Sequence, residues 1–348
     1  MTSRPTLPRR SVIAAGLGSG LVAAGLLSPA AAAPSTGGAG SVWRTRALLA
    51  LGTTARLRAA HADAAQAERA LDAAAAAILA VDASMSLFRE ASEVTRLNRS
   101  GRLASPSVHL LTVLREARHV ATRSGGAFDV TVQPLWQAHD RARQAGRGAS
   151  PAELSAAQAL VGWQGLHVAR GQVSFARPGM AISLNGIAQG YAADAALAAL
   201  RAHGVNDALV DAGEFGASGH NEQGRPWTLG IEDPHDETRL VTALQLDGRA
   251  LATSADNRGS FTADRRHHHI IDPATGLSPA TLSSVTVLAR SAMRADALTK
   301  VMFMAGPDAI TALARQWNVD VLWVDKQGRW GATPGLAAGA GIRQASGG

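Results

Sequence analysis

The chain has no cysteine, so disulfides are excluded, and so is a lipid-anchored cysteine behind an export signal. Lysine is almost as scarce: Lys300 and Lys326 are the only two. The formal net charge of +7 is therefore an arginine charge, as expected from codon bias as much as from a nucleic-acid footprint. There is no basic run with interleaved aromatics, which argues against nucleic acid as a partner. Past the N-terminus no apolar run is long enough to span a bilayer, so no stable membrane anchor is expected. Apolar residues are plentiful: 46% of 348, enough core for one large domain or two modest ones.

The first residues read as an address. Arg9-Arg10 is followed by a mild apolar segment to Leu27, then Ser28-Pro29 and the run Ala30 to Ala33. Twin arginine, weak apolar region and small-residue cleavage site predict a twin-arginine export signal over residues 1–33, cut near Ala32. An ordinary secretory signal that carries two arginines is the alternative. Removal deletes Arg4, Arg9 and Arg10 and no acid, leaving a charge of about +4. Residues 34–42 are a Ser/Gly/Ala linker, and a soluble periplasmic or exported protein is expected behind it.

Periodicity places most of the elements. Trp43 to Ala60 alternates, Asp63 to Val81 is an amphipathic helix, and Ser107 to Ser124 is another, stopped by Gly125-Gly126 ahead of a strand. Strands are expected at Leu166–Ala169 and Gln172–Phe175. Residues 182–194 read as a short apolar strand turning into a long helix that His203-Gly204 ends. Gly186 and Gly190 at that junction lack the third glycine and spacing of a dinucleotide fingerprint. Such a junction either brings backbone N–H groups to an anion or simply turns the chain. Further strands are expected from Ala208, Trp227, Leu251 and Val285, and a helix from Ala295. Three histidines, His267, His268 and His269, could pass for a metal tract, but on a strand only His267 and His269 share a face.

Seven blocks, in order, resemble the ApbE family, the FAD:protein FMN transferases. Leu51-Gly52-Thr53 matches the family's M-G-T. Residues 85–98 match M-S-x-Y-x-P-x-S-E-I/L-x-x-I/F/L-N, and 124–135 match S-G-G-A-F-D-P-T-V-x-P-L. Residues 183–191 match D-L-G-G-I-A-K-G-Y, and Gly213-Glu214 stands for G-G-D. His269 to Gly276 matches H-I-I-D-P-x-T-G, and residues 295–300 match A-D-A-L-A-T. The resemblance spans about residues 43–330 and implies one transferase domain over 43–340. The fold it implies is α+β, with mixed, largely antiparallel sheets packed by helices.

The resemblance also implies a reaction: FMN moves from FAD onto a threonine of an acceptor flavoprotein, AMP is released, and Mg²⁺ assists. It puts FAD against Leu51, Phe88, Gly126, Ala127, Phe128, Asp129, Gln189, Asp194 and Thr253. It puts the metal at Ala188, Asp296, Thr299 and Lys300, and makes His269 and Asp296 catalytic. His269 is singled out as base because an unperturbed imidazole titrates near working pH. His267 and His268 are expected to face solvent. The Leu-Asn-Gly-Ile-Ala-Gln-Gly and Gly-Glu-Phe runs, with the export signal, resemble the NosX branch, whose acceptor is the flavoprotein NosR.

Several positions depart from the family pattern, Leu51 for its methionine among them. Phe88 replaces a tyrosine, which keeps stacking and loses a hydroxyl; without the resemblance it reads as core. Gln189 replaces a lysine, and Glu214 is one methylene longer than the family aspartate. Lys300 replaces a metal-ligating threonine, four residues from Asp296 on one helix face. Its ammonium either repels or stands in for a divalent ion, or else points to solvent. A protein that binds or delivers FAD without transfer is the alternative function.

Overall fold

The computed structural model describes residues 41–339, so the export signal and nearly all of the linker lie outside the described residues. In chain order the first elements are β1 (Val42–Ala50), β2 (Thr53–His61), α1 (Ala64–Met85), α2 (Glu93–Ser100), β3 (Arg102–Ala104), α3 (Val108–Arg123), α4 (Gln133–Gln144) and α5 (Pro151–Gln158). Then come β4 (Leu166–Ala169), β5 (Gln172–Phe175), α6 (Ala188–Ala202), β6 (Asp207–Asp211), β7 (Phe215–Ser218), β8 (Thr228–Asp233), β9 (Asp236–Gln245) and β10 (Ala250–Ala255). The last are β11 (Leu282–Ala289), α7 (Ala292–Trp317), β12 (Asp320–Asp325), β13 (Trp330–Ala332) and α8 (Pro334–Gly339).

The main sheet runs β1-β2-β6-β7-β10-β11-β12-β13, with a three-stranded sheet β3-β5-β4 and the hairpin β8-β9 beside it. The α+β class is as expected, and each named strand pair is antiparallel. Both faces of the central strands are covered. Ala252, Val285 and Val287 join the core made with α1, α6 and α7, while Leu251, Leu288 and Leu322 pack under Leu229, Ile231 and Leu244 of β8-β9. That two-sided burial is why β10 and β11 are apolar or small at nearly every position.

The β1-β2 turn is Leu51-Gly52, with φ of 52° and 76°. Positive φ at both turn residues matches the right-handed twist of a two-residue hairpin. Glycine adopts it freely; leucine does so at a cost, here held by a 2.8 Å bond from the Leu51 amide to Asp82 Oδ1. Near the end of the chain α7 breaks at Gly306 (φ 70°, ψ 170°), and Pro307 begins its second limb, where no N–H is needed.

Three expectations are corrected. Residues 127–135 are not a strand: Asp129 caps a 3₁₀ turn at Val130–Val132 that feeds α4, with Pro134 in its first turn. Residues 182–184 pair with no strand. Groups distant in the chain satisfy their backbone instead, Ile182 on both sides by the Asn98 side chain (2.8 Å each) and Ser183 N by Val130 O. The histidines lie in an irregular loop with a single bridge, Ser260 to His268, so strand alternation does not apply. His268 is 0% exposed, against Phe303, and His267 is half-buried on His139. The apolar wall under this loop had the room that a solvent-facing reading denied.

Candidate active site

A cavity of about 520 Å³ opens where the β1-β2 turn, the start of α6 and the loop after β10 meet. That volume is in the usual range for a small-molecule site. Of the residues expected in the site, ten line it: Leu51, Phe88, Ala127, Phe128, Asp129, Ala188, Gln189, Thr253, His269 and Lys300. Residues 250 positions apart in the chain are thus brought to one wall.

The block at 85–98 builds that wall more than it touches a ligand. Buried Glu93 accepts from Ser84 Oγ (2.6 Å) and the Ser107 amide (2.7 Å), tying the end of α1 to the starts of α2 and α3. Phe88 is 57% exposed and covers Gly52, where a Cβ would come within 2.8 Å of its ring. It is a rim residue, not core.

Asp129 is buried, and both its oxygens are used by the chain itself. Oδ1 accepts from Thr131 N and Oγ1 (2.8 and 2.6 Å) and Oδ2 from the Trp163 amide (2.8 Å). Burial pushes its pKa up against those bonds. Gly126 is not on the cavity; with φ of 88° its amide returns to Ala121 O (2.8 Å) and closes α3. Its neighbour Ala127 is the one that reaches the wall.

The two glycines of the α6 junction make room for side chain and backbone. A Cβ on Gly186 would lie 2.9 Å from Lys300 Cε, and one on Gly190 would lie 2.2 Å from Ala292 O, at the start of α7. Asp194 also belongs to that joint and not to the cavity, contrary to expectation. Its carboxylate accepts from Ala292 N (2.8 Å) and Met293 N (3.0 Å), giving α7 a negative charge at its N-terminus.

Asp296 lies beneath the cavity floor, 0% exposed. Oδ2 accepts the Gly190 amide in the first turn of α6 (3.2 Å), and Oδ1 accepts from Lys300 Nζ at 2.5 Å. Lys300 Nζ also donates to Asp296 O (3.2 Å), with its side chain 19% exposed, so it does not point away to solvent. Thr299 is fully buried: its hydroxyl donates to Asp296 O (2.6 Å) and shares a 2.8 Å bond with Ser254 Oγ. A divalent ion wants several hard oxygen ligands free to turn to it. Here both carboxylate oxygens and the Thr299 hydroxyl are engaged, and no group of three or more His, Asp or Glu side chains is disposed to hold a metal among the described residues. The arrangement as it stands does not fit Mg²⁺, which would have to displace the ammonium.

Glu214 was legible only as a motif carboxylate, yet it belongs to this wall. It is buried, Oε2 accepts the Thr253 amide (3.0 Å), and burial with Asp296 nearby holds its pKa well above the usual range. Gly213 before it has φ of 95°, and a Cβ there would strike Gln189 at 2.7 Å. Gln189 reaches toward Leu51 O at 3.5 Å. On the opposite side, burial, with His268 and then Lys300 alongside, pushes the His269 imidazole down to about 3, so it is neutral at physiological pH.

The fold and site define an α+β protein with a ligand-sized cavity, open at a rim, built from loop and helix starts, and no described helix is long and apolar enough to cross a membrane. The profile of the ApbE family matches residues 51–323. The FAD:protein FMN transferase of Vibrio cholerae is 34% identical over 254 residues, covering 71% of this chain and 76% of that protein. The one from Haemophilus influenzae is 32% identical, covering 69% and 74%. Among solved structures, the flavin transferase ApbE of Vibrio cholerae superposes with a TM-score of 0.73 at 28% identity, over 85% of this chain and 99% of the other. The ApbE protein of Thermotoga maritima gives 0.76 at 26% identity, over 85% and 98%. The chain belongs to the ApbE family.

Proposed function

We propose that the protein transfers FMN from FAD to a threonine of an acceptor flavoprotein and releases AMP, acting outside the cytoplasm after twin-arginine export. The observation that carries this reading is the cavity itself: family membership over residues 51–323 coincides with a pocket lined by ten of the expected residues. In the reaction the threonine oxygen forms a bond to the FMN phosphorus, the bond from that phosphorus to the bridging oxygen breaks, and AMP leaves carrying the bridging oxygen. The hydroxyl proton needs an acceptor within reach. His269 is that acceptor. Its neutral imidazole has an available lone pair, since Nδ1 makes no hydrogen bond, and the negative charge of a bound diphosphate raises its basicity from the low value burial gives it. Phe88 and Leu51 supply apolar area at the rim for the isoalloxazine, and Asp129 holds the loop whose Ala127 and Phe128 form the inner wall. The donor set around Asp296 is engaged within the chain. A NosR-like flavoprotein is the proposed acceptor, on the strength of the Leu184–Gly190 and Gly213–Phe215 runs and the twin-arginine signal.

The test is incubation of mature protein with FAD and a threonine-bearing acceptor domain, with and without Mg²⁺, read by mass. An FMN adduct with stoichiometric AMP supports the reading. FAD bound without AMP in any condition supports a flavin-delivery protein instead, which the Lys300 and Gln189 departures favour. For export, Arg9→Lys with Arg10→Lys leaves precursor in the cytoplasm; normal export of that variant rejects the twin-arginine route.

A further inference from the structure

Lys300 is set into the cavity floor with unusual care for a flexible side chain. Gly186 leaves a channel for its stem, and a Cβ there would come within 2.9 Å of Cε. Asp296 fixes the ammonium from below through a carboxylate oxygen and its own carbonyl, at 2.5 and 3.2 Å. An ammonium has three N–H donors, so one is left to the cavity side. Arg99, at the exposed rim, is the other cationic residue of the cavity wall. An anionic group entering the cavity beside Ala188 and Thr253 therefore meets Lys300 as its deep cation.

We propose that Lys300 is the cation against which this protein holds the diphosphate of FAD, so that the dinucleotide binds without a divalent ion. The inference rests on the transferase reading and specifies its electrostatics. A carboxylate with Mg²⁺ leaves one net positive charge; a carboxylate with an ammonium leaves none. What Lys300 offers is a charge-assisted hydrogen bond, not bulk charge neutralisation. Such a cation needs no loading from solution, and a metal cannot enter without breaking a pair whose aspartate is fully buried.

The experiment is titration of the mature protein with FAD, followed by flavin fluorescence, in excess chelator and in millimolar Mg²⁺. Wild type is expected to bind with affinities that agree within about twofold. In chelator Lys300→Thr loses about tenfold or more, the scale of a hydrogen bond to a charged group, and regains it as Mg²⁺ is added. Lys300→Arg keeps the charge and stays close to wild type in chelator. Electron paramagnetic resonance of added Mn²⁺ gives a readout independent of flavin: a bound signal for Lys300→Thr and none for wild type. A wild-type affinity that rises about tenfold or more with Mg²⁺ overturns the inference, as does a Lys300→Thr variant, folded by thermal melt, whose affinity in chelator is unchanged. The wild-type comparison does not depend on any variant folding. Absence of FAD binding by wild type in both buffers rejects the flavin reading itself and takes this inference with it; it shows as a flat titration and not as metal dependence.

Discussion

The two lysines of the chain each sit on a buried aspartate, and the company differs. Lys300 reaches Asp296 within one helix, four residues away, and faces a cavity. Lys326 reaches Asp256 across the fold, from the β12-β13 turn to the loop that follows β10. Asp256 has Arg265 as a second, more distant cation at 3.9 Å, and its Oδ1 has no hydrogen bond. Neither lysine has an exposed partner, yet one closes a loop and the other lines a cavity. A buried ion pair is thus no sign of function by itself. Whether a donor of the pair still faces open space is the better discriminator.

Breaking the first pair should have the larger effect. Asp296→Ala leaves the Gly190 amide without its partner and the ammonium with only the backbone carbonyl of residue 296, and should cost about 3–5 kcal/mol of stability along with flavin transfer, read by urea unfolding and AMP release. Lys326→Met should cost less, about 2–3 kcal/mol, because Arg265 remains near Asp256. Its FAD affinity should stay within about twofold of wild type; a larger loss would put this second pair in the site as well.

The same pair reaches His268. Burial, with Lys326 next, lowers its pKa from 6.5 to about 3. The unfolded chain binds that proton first, so the stability held by neutral His268 is complete above about pH 6.5 and falls as pH drops toward 3, by at most about 1.4 kcal/mol per pH unit. Unfolding at pH 7, 6 and 5 should show this acid slope together with the like contribution of His269, and His268→Gln should make it shallower. A slope unchanged in His268→Gln assigns it elsewhere. The smallest effect belongs to the rim. Phe88→Ala should weaken FAD by about 1 kcal/mol and leave the melting temperature in place, since the ring packs on Gly52 and is mostly exposed. A stability loss without an affinity loss would return Phe88 to the core reading.

Much of this was legible in the chain. β4 and β5 fall where the sequence placed them, α3 and α6 end where glycine and histidine-glycine stop them, and ten of the expected site residues share one cavity. Legibility failed where a side chain satisfies backbone that a neighbouring strand would otherwise pair. Asn98 does this for Ile182, and Asp129 does it for the 3₁₀ turn, so apolar runs that look like strands are not. It failed again where a residue serves a neighbour distant in sequence. Asp194 caps α7, Gly190 clears the way for Ala292, and Glu214 receives the amide of Thr253, none of which local spacing reveals. His268 was misplaced for a related reason: a histidine tract is polar by composition, but the loop carrying it is pinned by Ser278 on both its amide and its carbonyl (2.8 Å each) and drives the ring inward.

The joint between α6 and α7 has a mechanical consequence. Gly190 lets backbone touch backbone, and Asp194 and Asp296 each bridge from one helix to the other. Two close-packed rods fastened at three points cannot slide past each other without paying for all three at once. The floor of the cavity is therefore a rigid plate. Any traffic of a bulky flavin and its leaving nucleotide must be accommodated by the opposite side, where Phe88 rides on the β1-β2 turn and the residues around His269 hang from β10 and β11. Hydrogen exchange should find protected amides at 188–194 and 292–300, and faster exchange at 86–90 and 257–267.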